Sequence, residues 1–425
     1  MSETSAAAAS PSAPRICFLA PSYYPAIGGG ESHARLLARE LAARGCDVTV
    51  LTRRRDRAWP LRETFEGVHI RRFGPAGFVR LGKYLLLPPA LLWLLRHRAR
   101  YDLIYVCGLR VAGWAGILAQ RWGGRPCILR AEACGEMDGG FIWRTPEGTV
   151  SSGKKFFASP LLALRNRLYR RAAAFLAVST PIRQEYLDCR ISEARIAEIP
   201  NGYDPARFHP LTTAPSSSAV DSAASSARDD LRCRLSLPAA APLFAYSGKL
   251  IRGKGLEHLL RVWVRFHATH PEAHLLLIGS GGAQSLSCEN DLRRTVARHE
   301  LTDTVHFTGY VQNVTDYLQA ADAFLFPSER ESQGLAVLEA MACALPVVAS
   351  DIPGIRDMIR PGIDGLLLPP TDESAWLAAM NELLDDPAAA RRRALVAAQT
   401  ARNRYAIPAI AERHLHLFRD LLSAR

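Results

Sequence analysis

Acidic residues are in short supply: 41 Asp plus Glu stand against 53 Lys plus Arg in 425 residues, a net charge of +12. That excess favours partners with negative charge, such as polyanions, sugar nucleotides or acidic membrane surfaces. Paired cysteines are missing as well. The nine cysteines are scattered, as at Cys17, Cys46, Cys107, Cys189 and Cys343, with no C-x-x-C pair and no Cys/His cluster at zinc spacing. This excludes a zinc module and a disulfide framework and leaves a reduced, cytoplasmic protein as the expectation. Long apolar runs are absent. The longest, Leu85 to Leu95, has 11 residues interrupted by Pro88 and Pro89, whereas a membrane span needs ~20. The opening MSETSAAAASPSAP has neither the basic nor the apolar region of a signal peptide, so residues 1–14 read as a disordered tail. No Asp-x-Asp pair offers a metal clamp, and no G-x-G-x-x-G offers a dinucleotide fingerprint.

What is present suits a globular chain of two domains. Hydrophobic residues make up 48% and charged residues 22%, enough apolar material for large cores. From Arg15 short apolar runs alternate with amphipathic stretches: RICFLA, a helix near Ser32 to Ala43 stopped by Gly45, then DVTVLT. VHIRRF, DLIYV, PCILRA and AAFLAVS continue the series, and such runs indicate a parallel sheet covered on both faces over residues 15–204. Residues 205–234, with TTAPSSSAVDSAASSA, are poor in large apolar side chains and read as a flexible linker. A second alternation fills 235–400: APLFAYSG, a helix from Leu256, HLLLIGSG, VHFTGYV, AFLFPS and LPVVAS. The remainder, 401–425, reads as a helix returning toward the first domain. The fold class is therefore α/β, two Rossmann-like domains whose cleft holds the site.

Four segments carry candidate chemistry. In ERESQGLAVLEAMA, Glu331 lies in a loop after a strand and Glu339 lies within an apolar helix. An ionised carboxylate is costly there unless it meets a partner such as a ligand hydroxyl. Gly334 lets the backbone approach a bound group, and the first helical turn favours phosphate. YSGKLIRGKG places Lys249 and Lys254 before a helix, where both ammonium groups could reach a diphosphate. Gly28 to Gly30 follow the first strand and allow a close backbone approach. In EACGEMDGG, Glu132, Glu136 and Asp138 follow the strand PCILRA and would shape an acceptor or sugar subsite, or simply an acidic loop. Asn201 and Gly202 in IPNGYD read as a turn. Separately, RLGKYLLLPPALLWLLRHRAR joins an apolar face to Arg80, Lys83, Arg96, Arg98 and Arg100, the makings of a peripheral contact with anionic membrane or of a helix packed on the sheet.

In their order and spacing, PSYYPAIGGGESHARLLARELAARGCDVTVL, IPNGYDPARFHP, YSGKLIRGKG, LLLIGSGG, FTGYV and the Glu331 to Glu339 signature resemble the retaining glycosyltransferases of the GT-B fold, family 4. The resemblance spans most of the chain. It implies transfer of a hexosyl group from a nucleotide-diphosphate sugar to a glycan or lipid-linked hydroxyl, with no metal, no other cofactor and no nucleic acid. It implies that Glu331 orients the sugar and Glu339 holds the ribose, that Lys249 and Lys254 neutralise the diphosphate, and that Gly29 and Gly30 face it or the acceptor. The backbone near Gly309 and Val311 would meet the nucleobase, and Gly248, Gln333, Gly334 and Leu335 complete the donor-binding set. Two positions depart from the family's pattern. Lys249 stands where Arg is usual, which removes a bidentate fork, and Glu132 stands where a His is usual, near the sugar's anomeric carbon. Alternatives are a non-catalytic nucleotide-sugar binder or a nucleotide-sugar epimerase; a dehydrogenase is disfavoured by the missing fingerprint.

Overall fold

A computed structural model of the chain describes residues 13–26, 28–77, 82–143, 152–211, 218–282 and 286–424. Most of the expected tail, Arg80 and part of the expected linker fall outside these residues. The first sheet contains β1 (Arg15–Leu19), β2 (Asp47–Arg53), β3 (Arg62–Phe65), β4 (Val68–Phe73), β5 (Leu103–Cys107), β6 (Cys127–Arg130), β7 (Ala174–Ala177) and β8 (Ile196–Glu198). Their order is β3-β4-β2-β1-β5-β6-β7-β8, parallel except for β3 on β4. The second sheet contains β9 (Leu243–Ser247), β10 (His274–Ile278), β11 (Val305–Gly309), β12 (Ala323–Phe326), β13 (Val347–Ser350) and β14 (Leu366–Leu368). Its order is β11-β10-β9-β12-β13-β14, all parallel.

The central strands β1, β5, β6, β9 and β12 are buried on both faces because helices cover both. In each sheet the strand order reverses beside the first strand, between β1 and β5 and between β9 and β12. Loops diverge at such a reversal and leave a crevice at the carboxyl ends of the strands. The two crevices face one another.

Two crossings join the domains. Tyr203 donates its N–H to Tyr405 O (3.0 Å) and accepts at its own carbonyl from Ile407 N (2.9 Å). Helix Pro387–Tyr405 closes the second core, with Ala397, Ala401 and Tyr405 buried in it. Helix Ile407–Ser423 then lies on the first domain, whose core takes in Ile407, Ile410, Ala411, Leu415 and Phe418. The returning helix thus begins at Ile407 rather than at 401, because residues 401–405 complete the preceding helix.

The expected flexible linker is corrected. Ser218–Arg234 is a helix, in which Leu231 and Arg232 are buried. Charge anchors it where apolar bulk is scarce: Arg232 pairs with Asp322 (2.7 Å) and donates to the carbonyls of Ala320 (2.9 Å) and Ala239 (2.9 Å), while Arg228 also reaches Asp322 (3.1 Å).

The basic apolar stretch forms helix Leu87–Arg96, with Ala90, Trp93 and Leu94 buried and Leu92 exposed. One face packs on the domain, and the face bearing Leu92 stays open. Among the described residues no helix is long and apolar enough to cross a membrane.

Candidate active site

The site is built at the two crevices. From β9 the chain passes Gly248 and the exposed Lys249 to reach Lys254, and Gly255, at φ +68°, turns it into helix Leu256–His267. A side chain at Gly255 would collide with the carbonyl of Pro327, so glycine is required there. From β12 the chain passes Ser328 and Glu331 to Gly334, at φ +79°, which opens helix Leu335–Ala342. The reversal between β9 and β12 brings these loops together. Lys254 Nζ donates to Glu331 Oε1, which also accepts from Ser328 Oγ (2.9 Å). No ion-pair partner reaches the Lys249 ammonium among the described residues.

Glu339 sits one turn into helix Leu335–Ala342, partly buried. Burial pushes its carboxyl up to about 7, and Arg207 opposes the shift. Its carboxylate has no hydrogen-bond partner among the described residues. Gly309 ends the edge strand β11 and Val311 follows in the loop at the same end of the sheet, with the Gly309 carbonyl accepting from Gly279 N (3.1 Å).

Gln333 is arranged differently from the donor-binding expectation. It is buried, its Oε1 accepts from Asn201 N (2.6 Å) and its Nε2 donates to Asn201 O (3.1 Å). Its amide is engaged by the segment that joins the domains instead of being presented to a ligand. Asn201, read from sequence as a simple turn, is the other half of that contact.

Across the cleft, Gly29 begins helix Gly29–Ala43, close enough that a methyl on it would lie 3.5 Å from Leu335 Cδ1 of the second domain. A methyl on Gly30 would lie 2.9 Å from the Glu132 carboxyl. The glycine run therefore lets three elements converge: the first helix, the loop after β6 and helix Leu335–Ala342.

The Glu132 side chain lies at the foot of this cleft with 35% of its surface accessible. Desolvation by the surrounding walls pushes its carboxyl up to about 7; Arg130 and Arg110 pull it down, and Glu136 and Glu31 push it up. The loop that carries it is firmly held. Glu185 accepts from the backbone N–H groups of Gly135 (2.6 Å), Met137 (2.5 Å) and Asp138 (3.0 Å), and Arg165 donates to Met137 O (2.7 Å). Glu136 accepts from Leu109 N (2.8 Å) and from Arg110 Nε (3.1 Å). Cys134 N reaches Ser332 Oγ (3.3 Å) across the cleft. The sequence did not suggest Glu185, which belongs to no motif, and Glu31, which follows the glycine run, was given no role; only contact in the fold brings them to this loop.

Among the described residues no group of three or more His, Cys, Asp or Glu side chains could hold a metal ion. The charges at hand are instead two lysines on one wall and carboxylates on both, suited to a ligand that carries a diphosphate and hydroxyl groups.

Comparison with known proteins agrees with this architecture. The family model described as Glycosyltransferase Family 4 matches residues 27–207, and that described as Glycosyl transferases group 1 matches 241–386, together more than half of the chain. The D-inositol 3-phosphate glycosyltransferase of Kineococcus radiotolerans is 28% identical, covering 94% of this chain and 92% of its own. Among solved structures, the sucrose-phosphate synthase of Thermosynechococcus elongatus superposes with a TM-score of 0.77 at 26% identity, over 97% of this chain and all of that one. Anabaena HepE in complex with UDP-glucose superposes with a TM-score of 0.71 at 19% identity, again over 97% of this chain and all of that one, a likeness of fold.

Proposed function

Starting from a chain that belongs to the family 4, group 1 glycosyltransferases, we propose that this enzyme moves a hexosyl group, with retention, from a nucleotide-diphosphate sugar to an acceptor hydroxyl. The observation that carries the proposal is the meeting of Lys254 and Glu331 at the second crevice, opposite Gly30 and Glu132 at the first. As the glycosidic bond breaks, positive charge grows at the anomeric carbon and negative charge on the departing diphosphate. Lys254, Lys249 and the amides of the helix after Gly334 are the groups that can stabilise the latter. Glu331 orients the sugar hydroxyls, Glu339 takes the ribose, and attack comes from the face that the leaving group vacates. Ionised Glu132 stabilises the charge on the sugar or accepts the acceptor's proton. The exposed, cation-flanked face of helix Leu87–Arg96 would rest on anionic lipid while a glycan or lipid-linked acceptor enters.

A panel of nucleotide sugars, UDP-glucose first because HepE of the same fold was solved with it, tests the donor by thermal shift and by release of nucleoside diphosphate. NMR of the product's anomeric proton tests retention. Release of diphosphate from no donor on the panel, or product with inverted configuration, would overturn the proposal.

A further inference from the structure

Arg130 ends β6, two residues before Glu132, and is only 1% exposed. Its Nη2 donates to Asn201 Oδ1, yet Nε and Nη1 find no hydrogen-bond partner. A buried guanidinium with open donors is costly, and a carboxylate is the group best able to satisfy it. Glu132 Oε1 lies 4.0 Å from Nη1, just beyond hydrogen-bond reach. On its other side, Asn201 is clasped through its backbone by Gln333, one residue before Gly334. A polar chain thus runs from the donor loop of the second domain, through Gln333 and Asn201, to Arg130, and stops one 4.0 Å step short of the carboxylate at the foot of the cleft.

We propose that Arg130 is a positioning residue, whose guanidinium is shared between Asn201 and Glu132 and so sets the aim and charge of Glu132 according to how the donor loop is held. The proposal rests on the role given to Glu132 above and adds the residue that governs it. The groups facing Glu132 are Arg130 from β6, Glu136 from its own loop, Glu31 from the first helix and Arg110 from the loop after β5. Tyr105 and Cys107 of β5 feel the same charges. Around Arg130 stand His33 and His414, both held neutral by burial, and Tyr186. Of the charged groups facing Glu132, Arg130 bonds a side chain of the segment leading to the second domain, Asn201, while His33 accepts from the backbone N–H of Gly202 beside it (3.2 Å).

The test is the pH profile of kcat in three variants of the full chain. Glu132→Gln should abolish the acid limb near pH 7. Arg130→Met removes the opposing charge and should move that limb to higher pH by about one unit. Asn201→Ala frees Nη2, lets the guanidinium turn to Glu132, and should move the limb to lower pH; it keeps the backbone clasp by Gln333 and remains informative if Arg130→Met does not fold. A purely structural role would lower activity in these variants without moving the limb in opposite directions. If Glu132→Gln retains the limb, the role of Glu132 falls, and with it the positioning role. If Glu132→Gln abolishes the limb but neither of the other variants moves it, only the role of Arg130 is overturned.

Discussion

At the residue scale, the charged groups of the cleft make separable contributions. Lys254→Ala should lower turnover by on the order of 10²-fold, the usual cost of losing one transition-state donor, and unchanged turnover in a folded variant would reject its role. If the lysines carry the leaving charge, activity should also survive EDTA. Glu339→Gln should weaken binding of free nucleoside diphosphate in calorimetry, whereas Glu331→Gln should mainly damage transfer; equal weakening of binding by both would end that division. Glu339 also predicts a stability effect. Its carboxyl is pushed up to about 7 in the folded protein, so the folded state keeps a proton that the unfolded chain releases from about pH 4.5 upward. Stability contributed by this group is lost as pH rises toward 7. Glu339→Gln should therefore unfold less readily than the parent at pH 8, by about 1–2 kcal/mol after allowance for solvent, with the difference vanishing near pH 4. Thermal melts at the two pH values decide it.

At the element scale, helix Leu87–Arg96 presents Leu92 outward while Trp93 and Leu94 face the core. If that outer face binds anionic lipid, co-sedimentation with acidic vesicles should weaken as salt rises, and absence of binding at low salt would leave it a packing helix. Helix Ser218–Arg234 should depend on its charges: Asp322→Ala leaves the buried Arg232 without its carboxylate and should cost about 3 kcal/mol in denaturant unfolding. These elements also mark how far the sequence could be read. The apolar runs of β1, β5, β9 and β12 were legible because buried parallel strands need continuous hydrophobicity. Edge strands β3 and β14 were not, since RETF has no apolar alternation and LLL is too short to tell from a turn. Ser218–Arg234 looked like a linker because its anchor, Asp322, lies about ninety positions away. In the site, Lys254, Glu331 and Glu339 announced themselves as charges within motifs, while Glu185 and the Arg130 to Gln333 chain depend on long-range contacts that no local pattern records.

At the scale of the whole molecule, the last helix has a consequence for synthesis. Ile407, Ile410, Ala411, Leu415 and Phe418 belong to the core of the first domain, and Tyr105 of β5 hydrogen-bonds His414 (3.1 Å). The domain made first therefore lacks part of its interior until residues 407–418 have been translated. While the second domain is being assembled, the emerging N-terminal half presents an unfilled apolar trough, the state in which chains associate wrongly or recruit chaperones. A chain ending at residue 406 should accumulate mainly as aggregate, and the missing helix supplied in trans as a peptide should recover soluble protein. Recovery of normal soluble yield without the peptide would show that the trough closes on its own. Otherwise this protein does not mature in the order in which it is written: its first core waits for a helix that follows the second.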